Sequence, residues 1–374
     1  MSTRITTVIP TYRRPRLLVR ALRSVLAQSY GDFEVCVYDN ASGDETPDVV
    51  AQLAARDPRV RYYRHARNIG MMENFAFGIS HVETPLFNIL SDDDFLLPGF
   101  FEDAIGALTT RPAAGFYFGG LLFFDGLGVV RAPVENWKVK GVVAPAHMFK
   151  ALFPGAWVTW TSSVFRTETV RRAGGLKPQL GYGADVELLL RLAAGNSAFV
   201  SRRPSAVMDL HQGSASAADA GQQYSAARAG AIRGSVDEAI ERALREGAIT
   251  HDAASAMRTI MRRGSGRRLF RRAFVLRAQG HLDAAIEAAR VLQAESAGLA
   301  LLARLATGTG LVGSAAAAGL SLLRRVRGRA RRAWLIFRYD EYTRLVERVR
   351  SELECEHSDA VPGPTRETVA SLSR

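Results

Sequence analysis

Cysteine is scarce in this sequence, with two residues in 374, Cys36 and Cys355. They lie far apart and show no spacing typical of metal ligands, so the sequence excludes a disulfide-framed small domain and gives no support to a structural zinc site. The segment MSTRITTVIP also lacks the basic, apolar and small-residue pattern of a secretory signal. Both absences fit a reducing cytosol, and we expect a cytoplasmic protein.

Lysine is absent after residue 218, where every basic side chain is arginine. The formal net charge is +12, and about three quarters of it lies in this part of the chain. An arginine-rich region can bind anionic lipid or nucleic acid, but a bias toward Arg and Ala codons produces the same composition without any such function. We expect no nucleic-acid partner, and the charge leaves an anionic membrane surface as a candidate.

Long apolar runs are also rare, and residues 305–323 form the main uncharged stretch, directly followed by RRVRGRARR. Its length approaches that of a membrane span. Because alanine and glycine contribute little transfer free energy, the composition favours a packed helix over a membrane-surface helix and a transmembrane helix. All three alternatives stay open. The protein could therefore be peripheral at the cytoplasmic face of the inner membrane, and a homo-oligomer is a further open alternative.

Short apolar runs alternate with segments of helical periodicity over the N-terminal half of the chain. The runs RITTVIPT and FEVCVYDN have no polar face, as expected for strands covered on both sides. The alternation continues through ETPDVVAQLAAR, VRYYRH, MMENFAFGISH, PLFNIL, FFEDAIGALTTR and GFYFGGLLFFD. It predicts an α/β fold with a mostly parallel sheet, whereas the chain from about residue 220 onward has a helical pattern.

Polar residues follow the predicted strands, at Thr11, Asp39, Asn40, Asn68 and 92–94. Because the carboxyl ends of parallel strands meet at one edge of a sheet, we expect these residues to converge on one crevice. The three aspartates of LSDDDFLLP repel one another, which a divalent cation or a cationic ligand would offset. A solvated turn is the alternative. The first turn, PTYRRPR, has no glycine, which argues against a nucleotide-binding oxidoreductase.

The order of these motifs resembles that of the inverting family 2 glycosyltransferases, which have the GT-A fold and transfer a sugar from a nucleotide diphosphate. The resemblance implies a GT-A domain over 1–218 and leaves 219–374, an Arg- and Ala-rich helical region, without a counterpart. The matching segments are VIPTYRRPRLLVRALRSVLAQSYGDFEVCVYDNASGDET, RNIGMMENFAFGI, LSDDDFLLPGF, VFRTETVRRAGGL, GADVELLLRL and HQGSAS.

The resemblance implies a bound Mn²⁺ or Mg²⁺ that neutralises the departing diphosphate. Asp93 is the predicted metal ligand, and Asp92 would contact the ribose or support the ligands of the metal. Similar family members place a late histidine at the metal or diphosphate, a role that His211 would take. A solvent-facing histidine is the alternative.

For the nucleotide, the resemblance implies that Asp39 accepts a hydrogen bond from the imide N–H of the base. Uracil and thymine both carry such an N–H. Capping of the following turn by Asp39 or Asn40 is the alternative. Asn68 is a further predicted nucleotide contact. The base would be framed by Pro10, Thr11 and Tyr12. Arg13 would reach a phosphate.

Inversion requires one general base on the acceptor hydroxyl. Asp185, in GADVELLLRL, matches the expected position of the base, and Glu187 is the second candidate. In the non-catalytic alternative, Asp185 is an acid that the helix dipole favours at a helix start. The acceptor side falls on the variable stretch 126–165, where three tryptophans can stack on a sugar or pack in the core; they are Trp137, Trp157 and Trp160.

Together these features predict a metal-dependent hexosyltransferase of polysaccharide or cell-envelope biosynthesis. The expected donor is a nucleotide-sugar, with UDP favoured, dTDP next and GDP third. The expected acceptor is a carbohydrate or a lipid-linked glycan. A degenerate transferase that serves as a non-catalytic scaffold or membrane adaptor is the alternative.

Overall fold

The computed structural model describes residues 4–133, 139–152, 159–211, 226–262, 285–286 and 332–355. Several predicted features lie outside these residues, namely Trp137, Trp157, the boundary at 218 and the stretch 305–323. Within the described residues, no helix is both long enough and apolar enough to cross a bilayer.

The N-terminal elements alternate as the sequence predicts. The strands are β1 (Ile5–Thr11), β2 (Phe33–Asp39), β3 (Val60–Arg64), β4 (Leu86–Ile89), β5 (Phe95–Leu96), β6 (Ala114–Phe124), β7 (Val129–Arg131), β8 (Gly141–Val143), β9 (Ser163–Arg166) and β10 (Ser197–Asp209). The helices are α1 (Pro15–Leu26), α2 (Thr46–Arg56), α3 (Met71–Ser80), α4 (Phe100–Thr110), α5 (Pro145–Leu152), α6 (Thr167–Arg172), α7 (Ala184–Gly195), α8 (Ala226–Arg245) and α9 (Asp340–Cys355). Residues 251–262 and 332–338 are also helical.

In the described part of the chain, the strands form one sheet with the order β3-β2-β1-β4-β9-β6-β10-β5. The pairs β1–β2, β2–β3, β1–β4 and β6–β10 are parallel. Strand β9 runs antiparallel to both β4 and β6, so these two neighbours of β9 point the same way. The predicted α/β fold with a mostly parallel sheet is therefore confirmed, with β9 as an antiparallel insertion.

Both faces of the sheet are covered, as the continuous apolar strands predict. Along β1, Ile5 and Ile9 pack against α1 and α4, whereas Val8 faces the opposite side, with α3 and α7. Side chains that alternate along a strand point to opposite faces, so one short strand serves two cores.

The topology places the start of α7 at the edge where the parallel strands end. Helix α7 leads into β10 through Asn196 alone, and β10 is parallel to β6. Because α7 packs along the sheet before β10, it runs antiparallel to that strand. Its first turn therefore lies at the same edge as the last residues of β1, β2, β4 and β10, which is where such sheets bind ligands.

The C-terminal helices pack on the sheet domain. Val346, Val349 and Leu353 of α9 join a buried cluster with Phe95 and Leu122. Arg23 of α1 donates a hydrogen bond to the carbonyl of Leu353 at 2.8 Å. The described helices after residue 225 agree with the helical character predicted there, while the domain boundary stays a prediction.

Candidate active site

The acidic loop after β4 holds two carboxylates in contact with one arginine. Thr11, at the end of β1, donates to Asp92 Oδ2 at 2.8 Å. Arg14 Nη1 donates to Asp92 Oδ1 at 3.2 Å and to Asp93 Oδ2 at 2.8 Å. Burial and the neighbouring Asp93 charge raise the pKa of Asp92 to about 6. The repulsion expected between adjacent aspartates is present, and Arg14 offsets part of it.

The third aspartate points away from this pair. Asp94 accepts from Thr161 Oγ1 at 2.9 Å and from the backbone N–H of Asp209 at 3.2 Å. It is buried, and burial together with the charge of Asp93 raises its pKa well above the usual value. Its contacts tie the acidic loop to β10 and to the turn before β9, so its role here is to hold the loop.

Asp93 and His211, the two residues predicted to hold a metal, lie together. His211 follows the end of β10, and its Nε2 lies 3.2 Å from Asp93 Oδ2. No cluster of three or more His, Cys, Asp or Glu side chains suited to a metal occurs among the described residues. The Asp93 carboxylate nonetheless suits a divalent cation whose other ligands come from diphosphate and water oxygens, and His211 would add an imidazole nitrogen. Arg14 would share Asp93 with such a cation.

Two arginines of this site are not among the predicted site residues. Arg14 adjoins the predicted Arg13, so sequence reasoning came within one residue of it. Arg20, buried in α1, donates to Asp209 Oδ2 at 2.7 Å and to the carbonyl of Asp93 at 2.5 Å. The sequence carries no signal for Arg20, because helical periodicity does not show which partner a buried arginine finds.

Asp39 is fully buried at the end of β2. Its Oδ1 accepts hydrogen bonds from the backbone N–H of Ser42 at 3.0 Å and from the Ser42 hydroxyl at 2.5 Å. Its Oδ2 accepts from the Tyr62 hydroxyl at 2.6 Å, and Arg64 Nε lies 3.7 Å away. These contacts include the turn cap that is the alternative to base recognition, so the nucleobase role stays a prediction.

The remaining predicted nucleotide contacts surround this turn. Asn68 Oδ1 accepts from Asn40 Nδ2 at 3.1 Å and from the N–H of Gly70 at 2.9 Å, which shapes the approach to α3. Pro10 is buried in β1. Tyr12 is exposed, and the guanidinium of Arg13 lies over its ring at 5.1 Å.

Arg13 has a backbone conformation that is rare for a residue with a side chain, with φ of 56°. Its N–H donates to Ser42 Oγ and its Nε to the Ser42 carbonyl, both at 2.9 Å. Ser42 also donates two hydrogen bonds to the Asp39 carboxylate, so Arg13 and the end of β2 are held together. Strain of this kind persists only where surrounding contacts impose it, and it is concentrated at functional sites.

The two candidate bases in α7 differ in their surroundings. Asp185 lies in the first turn, and its Oδ1 is out of contact with solvent and has no hydrogen-bond partner among the described groups. Burial raises the pKa of Asp185 to about 6, although the backbone N–H groups of Val186 and Asp185 oppose the shift. Glu187 is fully buried and accepts from Arg191 Nε at 2.7 Å and Nη2 at 2.8 Å. Glu187 therefore belongs to a buried ion pair.

Trp160 packs in the hydrophobic core, which is the alternative to stacking on a sugar. It is buried and stacks on Phe75, with ring centroids 4.7 Å apart and an interplanar angle of 25°. Its indole belongs to the core between the sheet and α3. The acceptor-stacking role open to it is therefore not available in this structure.

The mostly parallel sheet, with ligand-type residues along its carboxyl edge and an antiparallel insertion, defines a GT-A fold. Among solved structures, Staphylococcus aureus TarS 1–349 in complex with UDP superposes with a TM-score of 0.57 at 15% identity, covering 87% of this chain and 91% of that one. The complex of TarS 1–349 with UDP-GlcNAc has a TM-score of 0.55 at 14% identity, covering 81% and 92%. At these identities the likeness concerns the fold.

Residues 6–146 match the model of glycosyl transferase family 2. The match identifies residues 6–146 as a family 2 glycosyltransferase region. A Campylobacter jejuni GalNAc(5)-diNAcBac-PP-undecaprenol beta-1,3-glucosyltransferase is 30% identical over 114 residues, which cover 30% of this chain and 36% of that protein. Escherichia coli chondroitin synthase is 35% identical over 97 residues, covering 25% and 14%. The aligned part of this chain thus spans about a third of the first relative and less of the second.

Proposed function

We propose that this protein is an inverting glycosyltransferase that moves a sugar from a nucleotide diphosphate to an acceptor hydroxyl. The observation that carries the proposal is the meeting of Asp92, Asp93 and His211 beside Thr11, at the sheet edge where α7 also begins. The first three motif segments belong to the region that matches the family. The proposal therefore joins a family assignment with a site of suitable chemistry.

We propose UDP as the nucleotide of the donor. The uracil edge offers an N–H between two carbonyls, and a carboxylate is a suitable acceptor for it. Asp39, at the end of β2, would accept this N–H in place of one of its present donors, Ser42 or Tyr62. Two of the solved structures that share the fold contain UDP or UDP-GlcNAc. A thymine base presents the same edge, so dTDP is the second choice.

A divalent cation would bind to Asp93 and His211, and when bound it would supply charge neutralisation for the departing diphosphate. The chain itself contributes Arg14, whose guanidinium already contacts both Asp92 and Asp93. An arginine so close to the diphosphate would stabilise the same developing negative charge.

Asp185 is the proposed general base. Its carboxylate would accept the proton of the acceptor hydroxyl as that oxygen forms a bond to the anomeric carbon. The bond from the anomeric carbon to the diphosphate oxygen breaks, and the pair of electrons leaves with the diphosphate. A carboxylate whose pKa is raised to about 6 is a stronger base than an ordinary aspartate and is still ionised near neutral pH.

We propose that the acceptor is a lipid-linked glycan and that the enzyme acts at a membrane surface. The Campylobacter relative is named for an undecaprenol diphosphate substrate. In the C-terminal region, Trp334 and Phe337 are 53% and 81% exposed and lie three residues apart on one helix face. Six arginines lie within residues 324–332, immediately before them. Exposed aromatic rings beside arginines are typical of an anionic interface.

The direct test is a thermal-shift screen of nucleotide-sugars with and without Mn²⁺, because a ligand that binds only the folded state raises stability with the logarithm of its concentration. We expect UDP-sugars to stabilise the protein in a cation-dependent way. Turnover is then followed as release of UDP, with water or a glycolipid extract as acceptor. A non-catalytic scaffold would bind the nucleotide or ignore it, but it would release no UDP above the rate seen without protein.

A further inference from the structure

Asp185 depends on its helix for its position. The N-cap residue of α7 is Gly183, which provides no side-chain cap. The Oδ1 atom of Asp185 has no hydrogen-bond partner among the described residues. The contacts of the carboxylate that remain are with the backbone N–H groups of Asp185 and Val186, so its direction follows the position of the first turn of α7.

The first turn of α7 is held from both sides of Asp185 by α8, which belongs to the C-terminal region. A methyl group built on Gly183 would lie 2.5 Å from Cδ1 of Ile232, so the helix start is in close contact with that side chain. Two residues after Asp185, the carboxylate of Glu187 accepts a short hydrogen bond from the hydroxyl of Ser235. Further along, a methyl group on Gly195 would meet Ala243 at 3.3 Å, so α7 and α8 run in the same direction over their whole contact.

Polar contacts fix this arrangement beyond what apolar packing requires. Lys177 Nζ donates to Ser235 Oγ at 2.6 Å and lies 3.9 Å from Glu187 Oε1. Arg191 binds Glu187 through two nitrogens and also donates to the carbonyls of Ala173 and Gly175. A buried carboxylate is tolerated only when its charge and its lone pairs are satisfied. Ser235 supplies one of these contacts from outside the GT-A domain.

From these contacts we infer that α8 positions the base of the transferase, with Ser235 and Ile232 as positioning residues for Asp185. This inference rests on the proposed function, in which Asp185 takes the acceptor proton. It assigns part of the C-terminal helical region to the catalytic unit. A small displacement of a reacting group by a distant substitution can lower turnover by about 10²-fold while binding is unchanged.

The experiment compares Ser235→Ala with wild type in the full-length protein, using release of UDP from the donor that the thermal screen selects. We expect kcat to fall about tenfold or more, while the KM for the donor and the affinity for UDP stay unchanged. Ser235→Thr, which keeps the hydroxyl, should restore kcat. The matched control is Gly234→Ala, since an added methyl group there meets no atom within 4 Å.

Two results separate this inference from the proposed function. If Asp185→Asn abolishes turnover but Ser235→Ala keeps the wild-type kcat and shows only a lower Tm, α8 is a stabilising cover and the inference is wrong. If Asp185→Asn retains full turnover, the proposed base is wrong and the inference falls with it. Should Ser235→Ala fail to fold, Ile232→Ala tests the other contact, with the same loss of kcat expected and a wild-type kcat overturning the inference.

Discussion

The guanidinium of Arg20 lies 2.7 Å from the carboxylate of Asp209, which joins the first helix to the end of the last strand of the domain. Both side chains are buried. The second terminal nitrogen of Arg20 donates to the carbonyl of Asp93, so one side chain holds both β10 and the acidic loop. His211 follows Asp209 by two residues, and its distance from Asp93 therefore depends on this ion pair.

Arg20→Met should destabilise the fold by about 3–5 kcal/mol, because the Asp209 carboxylate would be left buried without its partner. The measurement is chemical denaturation of the full-length protein. Arg16→Met is the matched control on the same helix, where the side chain is exposed and a change within about 0.5 kcal/mol is expected. Equal stabilities for the two variants would contradict the structural role of Arg20.

Asp93→Asn should remove most of the Mn²⁺-dependent binding of the donor and nearly all turnover. The fold should survive, because the substitution relieves repulsion with Asp92. Isothermal titration of the nucleotide with and without Mn²⁺ measures the effect. Asp48→Asn, at an exposed position of α2, controls for loss of one negative charge. Full wild-type activity in excess chelator would argue against any metal at this site.

Asp185→Asn should leave donor affinity nearly intact and lower turnover by about 10²- to 10⁴-fold, the typical effect of losing a general base. Glu187→Gln should act mainly on stability, because Glu187 is fully buried against Arg191. Initial rates and Tm are measured for both variants. The assignment is wrong if the substitution at Glu187 lowers kcat at unchanged Tm while the one at Asp185 does not.

The pH dependence of turnover should follow the ionisation of Asp185. A base must be unprotonated, so kcat should fall as the pH is lowered through about 6, and Asp185→Asn should lack this acid limb. Stability should change in the opposite sense. Because the pKa of Asp185 is higher in the folded protein than its ordinary value of 3.8, ionisation costs stability as the pH rises from about 4 to 6. The Tm of Asp185→Asn relative to wild type should therefore increase over that interval.

Binding to anionic vesicles should depend on the exposed aromatic pair of the C-terminal region. Replacing both Trp334 and Phe337 by alanine should weaken co-sedimentation with phosphatidylglycerol vesicles, and salt should weaken binding of the wild type, since each exposed arginine contributes about 1 kcal/mol of screened attraction. Val142→Ala, at a position that is 53% exposed on β8, is the control. Absence of binding at low salt would instead assign the region to packing or a protein partner.

The full chain is the right material for this last test. A truncation near residue 220 would remove Val346, Val349 and Leu353, which cover Phe95 and Leu122 of the sheet domain. The loss of membrane binding in such a truncation could not be separated from exposure of a hydrophobic cluster. Point substitutions at exposed positions avoid this difficulty.

Periodicity and strand-end chemistry were sufficient to predict the N-terminal half of the fold. Buried parallel strands need continuous apolar runs, and amphipathic helices need apolar residues at a 3.6-residue repeat. Both patterns can be recognised in the sequence. The same reasoning brought Asp92, Asp93 and Thr11 to one edge, since parallel strands end together. The contact of Asp93 with His211 joins positions 118 residues apart, and no local pattern encodes such a contact. The motif resemblance predicts only that both residues serve the metal or diphosphate.

Only the tertiary structure decided which of several similar residues does what. Asp92 and Asp93 face Arg14 while Asp94 turns to Thr161, a division that three identical adjacent residues cannot reveal. Likewise, Asp185 and Glu187 share a helix turn, but Glu187 is buried and accepts hydrogen bonds from Arg191 and Ser235, which gives it a structural role. The sequence determines chemical type and local periodicity; long-range packing determines desolvation and hydrogen-bond partners, and these set the role of a carboxylate.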